Sequence, residues 1–391
     1  MSGFVHDRRC WLLAGVVTLG LAIHVRDGLY APWAIGLLAA AAAAVGIACR
    51  VGSGERRFAR AVLLLAILAQ SIVLLWSWRT TLRFDRKPFM DVYVFQHDAS
   101  RAVFAGRNPY AMTFPDIYGP NGNWVYAPEL VRDGRVLFGF PYMPLTVLWD
   151  CLGQLVGDYR IAQLLAFLIT AVCIAMIDGW RTGTLAALLL ITTPRGLWIV
   201  NYGWTEPLSA MLLAMTVLAY ARGWRIITPT AFGLFIASKQ YCVLSLLLLP
   251  LIVPRGREML RWLLIAGFAA VIVTAPLAFW NPHAFWESAV MLQFRQPFRS
   301  DSLSFAAWLI HHGLPRLNAF ASIAIAAIAG VLLSWKLKPS PANFAVATAA
   351  LYLVFFAFNK QAFANYYLLV IAALCCSIAA LDRQNVNITA A

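Results

Sequence analysis

Charge is what this sequence lacks most. Charged residues make up 12% of it, about half the ~25% of an ordinary soluble domain. That scarcity, set against a 61% hydrophobic content, excludes a soluble globular chain. Cysteine pairing is also missing. The chain has seven cysteines but no CxxC, and Cys49, Cys173, Cys242 and Cys375 sit inside apolar runs. They read as small core residues, which excludes a disulfide framework or a zinc site. There is no HExxH, no DxD and no clustered His/Cys spacing, so no metal is expected. There is no P-loop and no GxGxxG, so no nucleotide cofactor is expected. Acids are scarcer than bases, 17 against 31, giving a net charge of +14. The bases lie in short clusters beside apolar runs, the pattern of loops flanking membrane spans, which argues against a nucleic-acid partner.

What is present is a succession of apolar runs, several near the roughly 17–25 residues that cross hydrocarbon as a helix. They are continuous and not alternating, so a helical bundle is expected and a barrel is not. The expected fold is therefore an all-α polytopic membrane protein of about twelve transmembrane helices, at 11–25, 32–49, 61–78, 161–177, 183–200, 207–221, 228–238, 241–253, 262–280, 316–334, 342–358 and 362–381. The run 228–253 has basic residues at both ends, Arg222 and Arg225 before it, Arg255, Arg257 and Arg261 after it. Two short helices meeting near Ser238–Lys239 keep both clusters on one side, a geometry allowed where the break is buried in protein or lines a cavity. The positive-inside rule applied to the short loops then places both termini in the cytoplasm of a cell-membrane protein. Arg79, Arg83, Arg86 and Lys87, placed outside, run against this rule. Tyr142–Leu155 and Ser302–His312 are expected as helices lying on the outer leaflet. The domain division is a hairpin over 1–60, a core over 61–381 and a cytoplasmic tail over 382–391.

With this topology the unusual polar residues gather on one face, in 79–160, 201–207, 239–241, 281–316 and 359–367. The sequence DVYVFQHDASRAVFAGRNPY, 91–110, is the most distinctive stretch. Pro88 precedes it, Val92, Phe95, Ala99, Ala102 and Val103 give it one apolar side, and Gly106 ends it. This predicts a helix of about 14 residues with Asp91 at its N-cap. Asp91 is either a cap alone or a general base. Asp98 shares its face and has Arg101 three residues on, so a local ion pair accounts for it. Lys239, at the break, either snorkels to the interface or meets an anion. Arg295, Arg299 and Lys360 are further cations on this face. Aromatic-belt anchoring is as good an account of the tyrosines near Lys360 as a site is. His311 and His312 point about 100° apart on a helix, so at most one serves a ligand.

These residues resemble the GT-C superfamily of integral-membrane glycosyltransferases, most closely its polyprenol-phosphate-mannose-dependent mannosyltransferases. The likeness is carried by the 91–110 segment, by FPYMPLTVLW, by the short-helix pair around SKQY, and by NPHAFWESAV followed by QPFRSDSLS. It covers about 61–381. Met143 stands where that group has proline, and 201–206 lacks its Gly-Gln. The resemblance implies a GT-C-like bundle with a large first outer loop, and an inverting sugar transfer, of mannose in that group, from a polyprenyl-phosphate donor to a lipid or glycan hydroxyl. It implies Asp91 as the base, with Asp98 as the other carboxylate of the pair. Lys239, Arg299, Lys360 and Arg295 are the candidate phosphate ligands, and Tyr110, Tyr142, Glu206 and Tyr241 the candidate sugar or acceptor contacts. The rival classes are a transporter or lipid-linked-sugar flippase, and an O-antigen ligase-like or polymerase-like enzyme.

Overall fold

The computed structural model describes residues 88–389, except 120–124, 180, 181, 192, 194, 254, 255 and 316, together with Leu64 and Leu68. The expected spans 11–25, 32–49 and 61–78, the 1–60 hairpin and the cluster Arg79–Lys87 thus lie outside the described residues, apart from those two leucines.

The first described helix, α1 (Asp91–Phe104), has the expected length of 14 residues. Its apolar side faces inward, with Phe95, Ala99 and Ala102 buried. Gly106 follows it at φ +66°, a left-handed backbone that glycine adopts without strain at a helix end. One detail differs from expectation. The cap is Met90, and Asp91 is the first helical residue, so the carboxylate is free for other contacts.

The segment that follows, expected as an outer loop, is not wholly helical. It holds a small antiparallel sheet of Phe114–Pro115, Arg135–Val136 and Val131–Arg132. Asp133 and Gly134, at φ +50° and +69°, turn its hairpin, as a two-residue Asp-Gly loop favours. Phe95, Phe114, Tyr126, Val136, Phe138 and Phe140 form a core separate from that of the bundle. This core clamps the loop over the start of α1.

The bundle follows as α2 (Pro144–Gln154), α3 (Arg160–Ile177), α4 (Thr182–Ile191), α5 (Gly196–Asn201), α6 (Glu206–Arg222) and α7 (Ile227–Ser238). A 3₁₀ helix (Gln240–Leu251) comes next, then α8 (Arg257–Trp280), α9 (Phe305–His311), α10 (Ala319–Lys336), α11 (Pro341–Phe358) and α12 (Tyr366–Thr389). Among the described residues, α3, α8 and α11 are long and apolar enough to cross a membrane. Helices α2 and α9 fall inside the stretches 142–155 and 302–312 expected to be helical.

Two spans depart from expectation. The single crossing 183–200 is two helices, α4 and α5, separated around Thr193. Proline at 194 disfavours helical backbone in the residue before it. The crossing 241–253 is a 3₁₀ helix. Twelve residues rise ~24 Å in that geometry against ~18 Å as α-helix, so this short apolar run covers more of the bilayer than its length suggests. Lys239 links it to α7 in extended conformation, φ −155° and ψ 148°, which is the expected break.

Hydrogen bonds fix which helix ends lie together. At one end the Arg222 guanidinium donates to the Met176 carbonyl at 2.6 Å, and the Tyr220 hydroxyl to the Leu251 carbonyl at 3.0 Å. At the other the Thr146 hydroxyl donates to the Ser238 carbonyl, and Arg160 to the Asn201 carbonyl, both at 3.0 Å. The starts of α3, α6 and α12, the end of α7 and the outer loop therefore meet at one end of the bundle.

Candidate active site

A cavity of about 280 Å³ opens at that end. Its lining comes from every one of the five segments singled out in the sequence, among them Asp91, Tyr142, Glu206, Lys239, Arg299 and Asn365.

Asp91 reaches it from the first turn of α1. Its Oδ1 accepts the Val92 N–H at 2.8 Å, and its Oδ2 accepts the Tyr126 hydroxyl at 2.7 Å. The Asp91 N–H donates to the Tyr118 hydroxyl at 3.4 Å. Burial raises the Asp91 carboxyl above its ordinary value, more than the Tyr126 hydrogen bond, the Val92 N–H, the Arg299 charge and the Tyr118 hydroxyl lower it. Burial, with the Asp91 charge and hydrogen bond adding to it, pushes Tyr126 upward too, so Tyr126 remains a donor to the carboxylate. A half-buried carboxylate whose pKa is raised, held by neutral donors, is suited to accept a proton.

Opposite lies an ion pair between Lys239 and Glu206. Both residues are buried. The extended break at Lys239 aims its side chain inward, because no helical turn continues there. The ammonium lies 5.8, 5.4 and 5.0 Å from the ring centres of Tyr142, Tyr241 and Tyr366. A lysine inside a membrane protein is stable only with such company. Glu206 gives one oxygen to Lys239, and its Oε2 has no hydrogen-bond partner among the described residues. The same is true of Asn365 Oδ1.

Arg299 forms a two-pronged pair with Asp301, both contacts at 2.8 Å, and lies 4.9 Å from the Phe363 ring centre. Its side chain is only 14% exposed.

Of the residues singled out in the sequence, the cavity thus brings together Asp91, Tyr142, Glu206, Lys239 and Arg299. The others stand elsewhere. Lys360 donates to the carbonyls of Phe294 and Gln296, at 3.2 and 2.6 Å. It braces the segment that carries Arg299 and does not line the cavity. Arg295 pairs with Glu287 at 2.7 Å on a half-exposed surface. Tyr110 is buried, with its hydroxyl donating to the Tyr142 carbonyl at 2.8 Å, so it props Tyr142 from behind. Tyr241 is packed between Tyr352 and Phe356 and lies behind the lining, against Lys239 and Tyr366. Asp98 lies two turns along α1, half-buried and outside the lining. His311 and His312 bond to the carbonyls of their own helix, at 2.8 and 2.9 Å.

The lining also contains residues that sequence reasoning missed: Tyr118, Tyr126, Trp198, Trp204, Gln293, Gln296, Gln361 and Asn365. The one available signal was aromatic density in WIVNYGW and in the stretch ending NWVY.

No protein-family model and no curated protein matches the sequence. Among solved structures the chain is similar to ArnT from Cupriavidus metallidurans, whose crystal structure was determined bound to undecaprenyl phosphate. The TM-score is 0.53 and the identity 16%, over 85% of this chain. The chain spans 61% of the length of that protein. The chain thus shares the largely helical fold of that structure.

Proposed function

We propose that this protein is a membrane glycosyltransferase. It moves a sugar, mannose in the reading above, from a polyprenyl-phosphate donor to a hydroxyl of a lipid or glycan on the outer face of the cell membrane. The observation that carries the reading is the cavity itself, with a half-buried, neutral-donor-held carboxylate at one wall and two cations, Lys239 and Arg299, at others. Asp91 takes the proton of the acceptor hydroxyl as its oxygen attacks the anomeric carbon. The bond from that carbon to the phosphate oxygen breaks, and its electrons leave on the lipid phosphate. Attack from the face opposite the leaving group inverts the anomeric centre. Lys239 and Arg299 stabilise the charge that grows on the phosphate, which a low-dielectric site makes more effective than it is in water. The likeness to a structure determined with undecaprenyl phosphate supports the donor class.

Donor binding tests this directly. Purified protein in lipid nanodiscs is titrated with a synthetic polyprenyl-phosphate mannose and, as control, with the phosphate-free polyprenol. Saturable binding of the phosphate ester is expected, weakened about tenfold or more by Arg299→Ala, since a hydrogen bond to a charged group contributes ~1.5–3 kcal/mol. Equal binding of ester and free alcohol would mean the cavity takes no phosphate.

A further inference from the structure

One wall of the cavity has no task in the scheme above. It is the turn from Trp198 to Glu206. Trp198 and Trp204, both lining the cavity, have ring centres 4.4 Å apart at 66°. Tyr202 lies 4.7 Å from Trp198. The turn is built to be rigid. The Tyr159 hydroxyl donates to the Gly203 carbonyl at 3.3 Å, and Arg160 holds the Asn201 carbonyl at 3.0 Å. Gly203 sits at φ +73°, and a Cβ there would lie 1.8 Å from the Tyr159 oxygen. No other residue fits. At the end of this turn stands Glu206, fully buried, with Oε1 on Lys239 and Oε2 unpartnered among the described residues.

A buried carboxylate oxygen without a donor is costly. In a cavity, the complement that removes the cost is a hydroxyl brought by the ligand. Tryptophan rings beside it offer a flat apolar surface to the C–H face of a sugar ring, while the carboxylate takes a hydroxyl at its edge.

We propose that Glu206, with Trp198 and Trp204, forms a sugar subsite that reads a hydroxyl of the transferred ring. The proposal rests on the donor reading above. Glu206 is a specificity residue, and the proton leaves through Asp91.

The test is equilibrium binding to the full-length protein in nanodiscs. The probes are polyprenyl-phosphate mannose, its series of monodeoxy analogues and sugar-free polyprenyl phosphate. In the parent protein, one monodeoxy analogue is expected to bind on the order of tenfold more weakly, because it leaves Oε2 without a donor. Glu206→Gln is expected to weaken the mannose donor and to level the deoxy series. Trp198→Ala, at a half-buried position, is expected to weaken the mannose donor too. Trp198→Ala should not move the affinity for sugar-free polyprenyl phosphate; Glu206→Gln, which releases Lys239, is read only through the deoxy series. The deoxy series on the parent protein needs no variant to fold. A flat series there, or equal loss of sugar-bearing and sugar-free lipids in Trp198→Ala, overturns the subsite. Failure of every phosphate lipid to bind overturns the donor reading instead, and the subsite with it.

Discussion

Asp91→Asn separates the two roles that a carboxylate at the start of a helix can have. The substitution keeps the shape and one of the two oxygens with which Asp91 accepts the Val92 N–H and the Tyr126 hydroxyl, at 2.8 and 2.7 Å; the amide NH2 takes the other place, where the Tyr126 oxygen can turn to accept from it. The helix cap is Met90, so no cap is lost. What is lost is a negative charge in the first turn, which is worth ~0.3–1 kcal/mol through the helix dipole. Removing a buried charge from a site that raises its pKa recovers part of that. The net effect on folding should stay within ~1 kcal/mol, a shift of a few degrees in Tm at most for a chain of this size. Activity is another matter. An amide cannot take a proton, and general-base catalysis contributes about 10²–10⁴-fold, or ~2.7–5.4 kcal/mol of barrier. Transfer of labelled sugar should fall by that factor, while the donor affinity of the same preparation stays within about threefold of the parent, a difference of ~0.6 kcal/mol. Asp98→Asn, outside the cavity, should be nearly silent in both. Near-parental turnover by Asp91→Asn would refute the base assignment, and a dead Asp98→Asn would show that the wrong carboxylate had been chosen.

Other expectations follow from the same geometry. Because Asp91 must be ionised to act and its pKa is raised, kcat/KM should climb with pH through an apparent pKa above the ordinary carboxylate value. Tyr126→Phe removes a hydrogen bond that lowers that pKa, so this limb should move to higher pH; an unmoved limb would detach Tyr126 from the base. Lys360→Ala should loosen the 294–299 segment, seen as faster proteolysis there, with only an indirect loss of donor affinity. Undiminished protection of the segment would contradict its bracing role. Single cysteines within 110–135 and 285–300 should react with impermeant reagents from outside the cell, and those at 255–260 and 336–338 should not. The reverse pattern would place the site on the cytoplasmic face.

Much of the site could be read from the chain because its signals are local. Pro88, the apolar face of 92–103 and Gly106 define α1 within twenty residues. The break at Lys239 shows in the basic residues on both sides of 228–253, since charge placement constrains how often a chain can cross a bilayer. What could not be read depends on partners distant in sequence. Tyr126 lies 35 residues from the carboxylate it holds, and Lys360 lies 64 residues from the Gln296 carbonyl that occupies it. The sequence pattern shows a cation but not the carbonyl that claims it. Whether Asp91 caps or begins its helix turns on a shift of one residue, finer than periodicity resolves. The 3₁₀ geometry of Gln240–Leu251 has no compositional signature, because leucine-rich sequence suits either helix. Trp198 and Trp204 were read as part of a span and its loop, since only the interruption of helix around Thr193 and the turn at Gly203 bring both onto the cavity wall.

The central claim is that this cavity transfers a sugar from a lipid phosphate with inversion, and turnover tests it most directly. Purified protein is incubated with labelled polyprenyl-phosphate mannose of known anomeric configuration and a membrane lipid extract. The glycosylated product is then isolated and its anomeric linkage determined. The account predicts label in a new glycolipid, released polyprenyl phosphate in equal amount, and a linkage opposite to that of the donor. Consumption of donor with retained configuration, or movement of intact donor across the bilayer with no glycosidic bond formed, would contradict it.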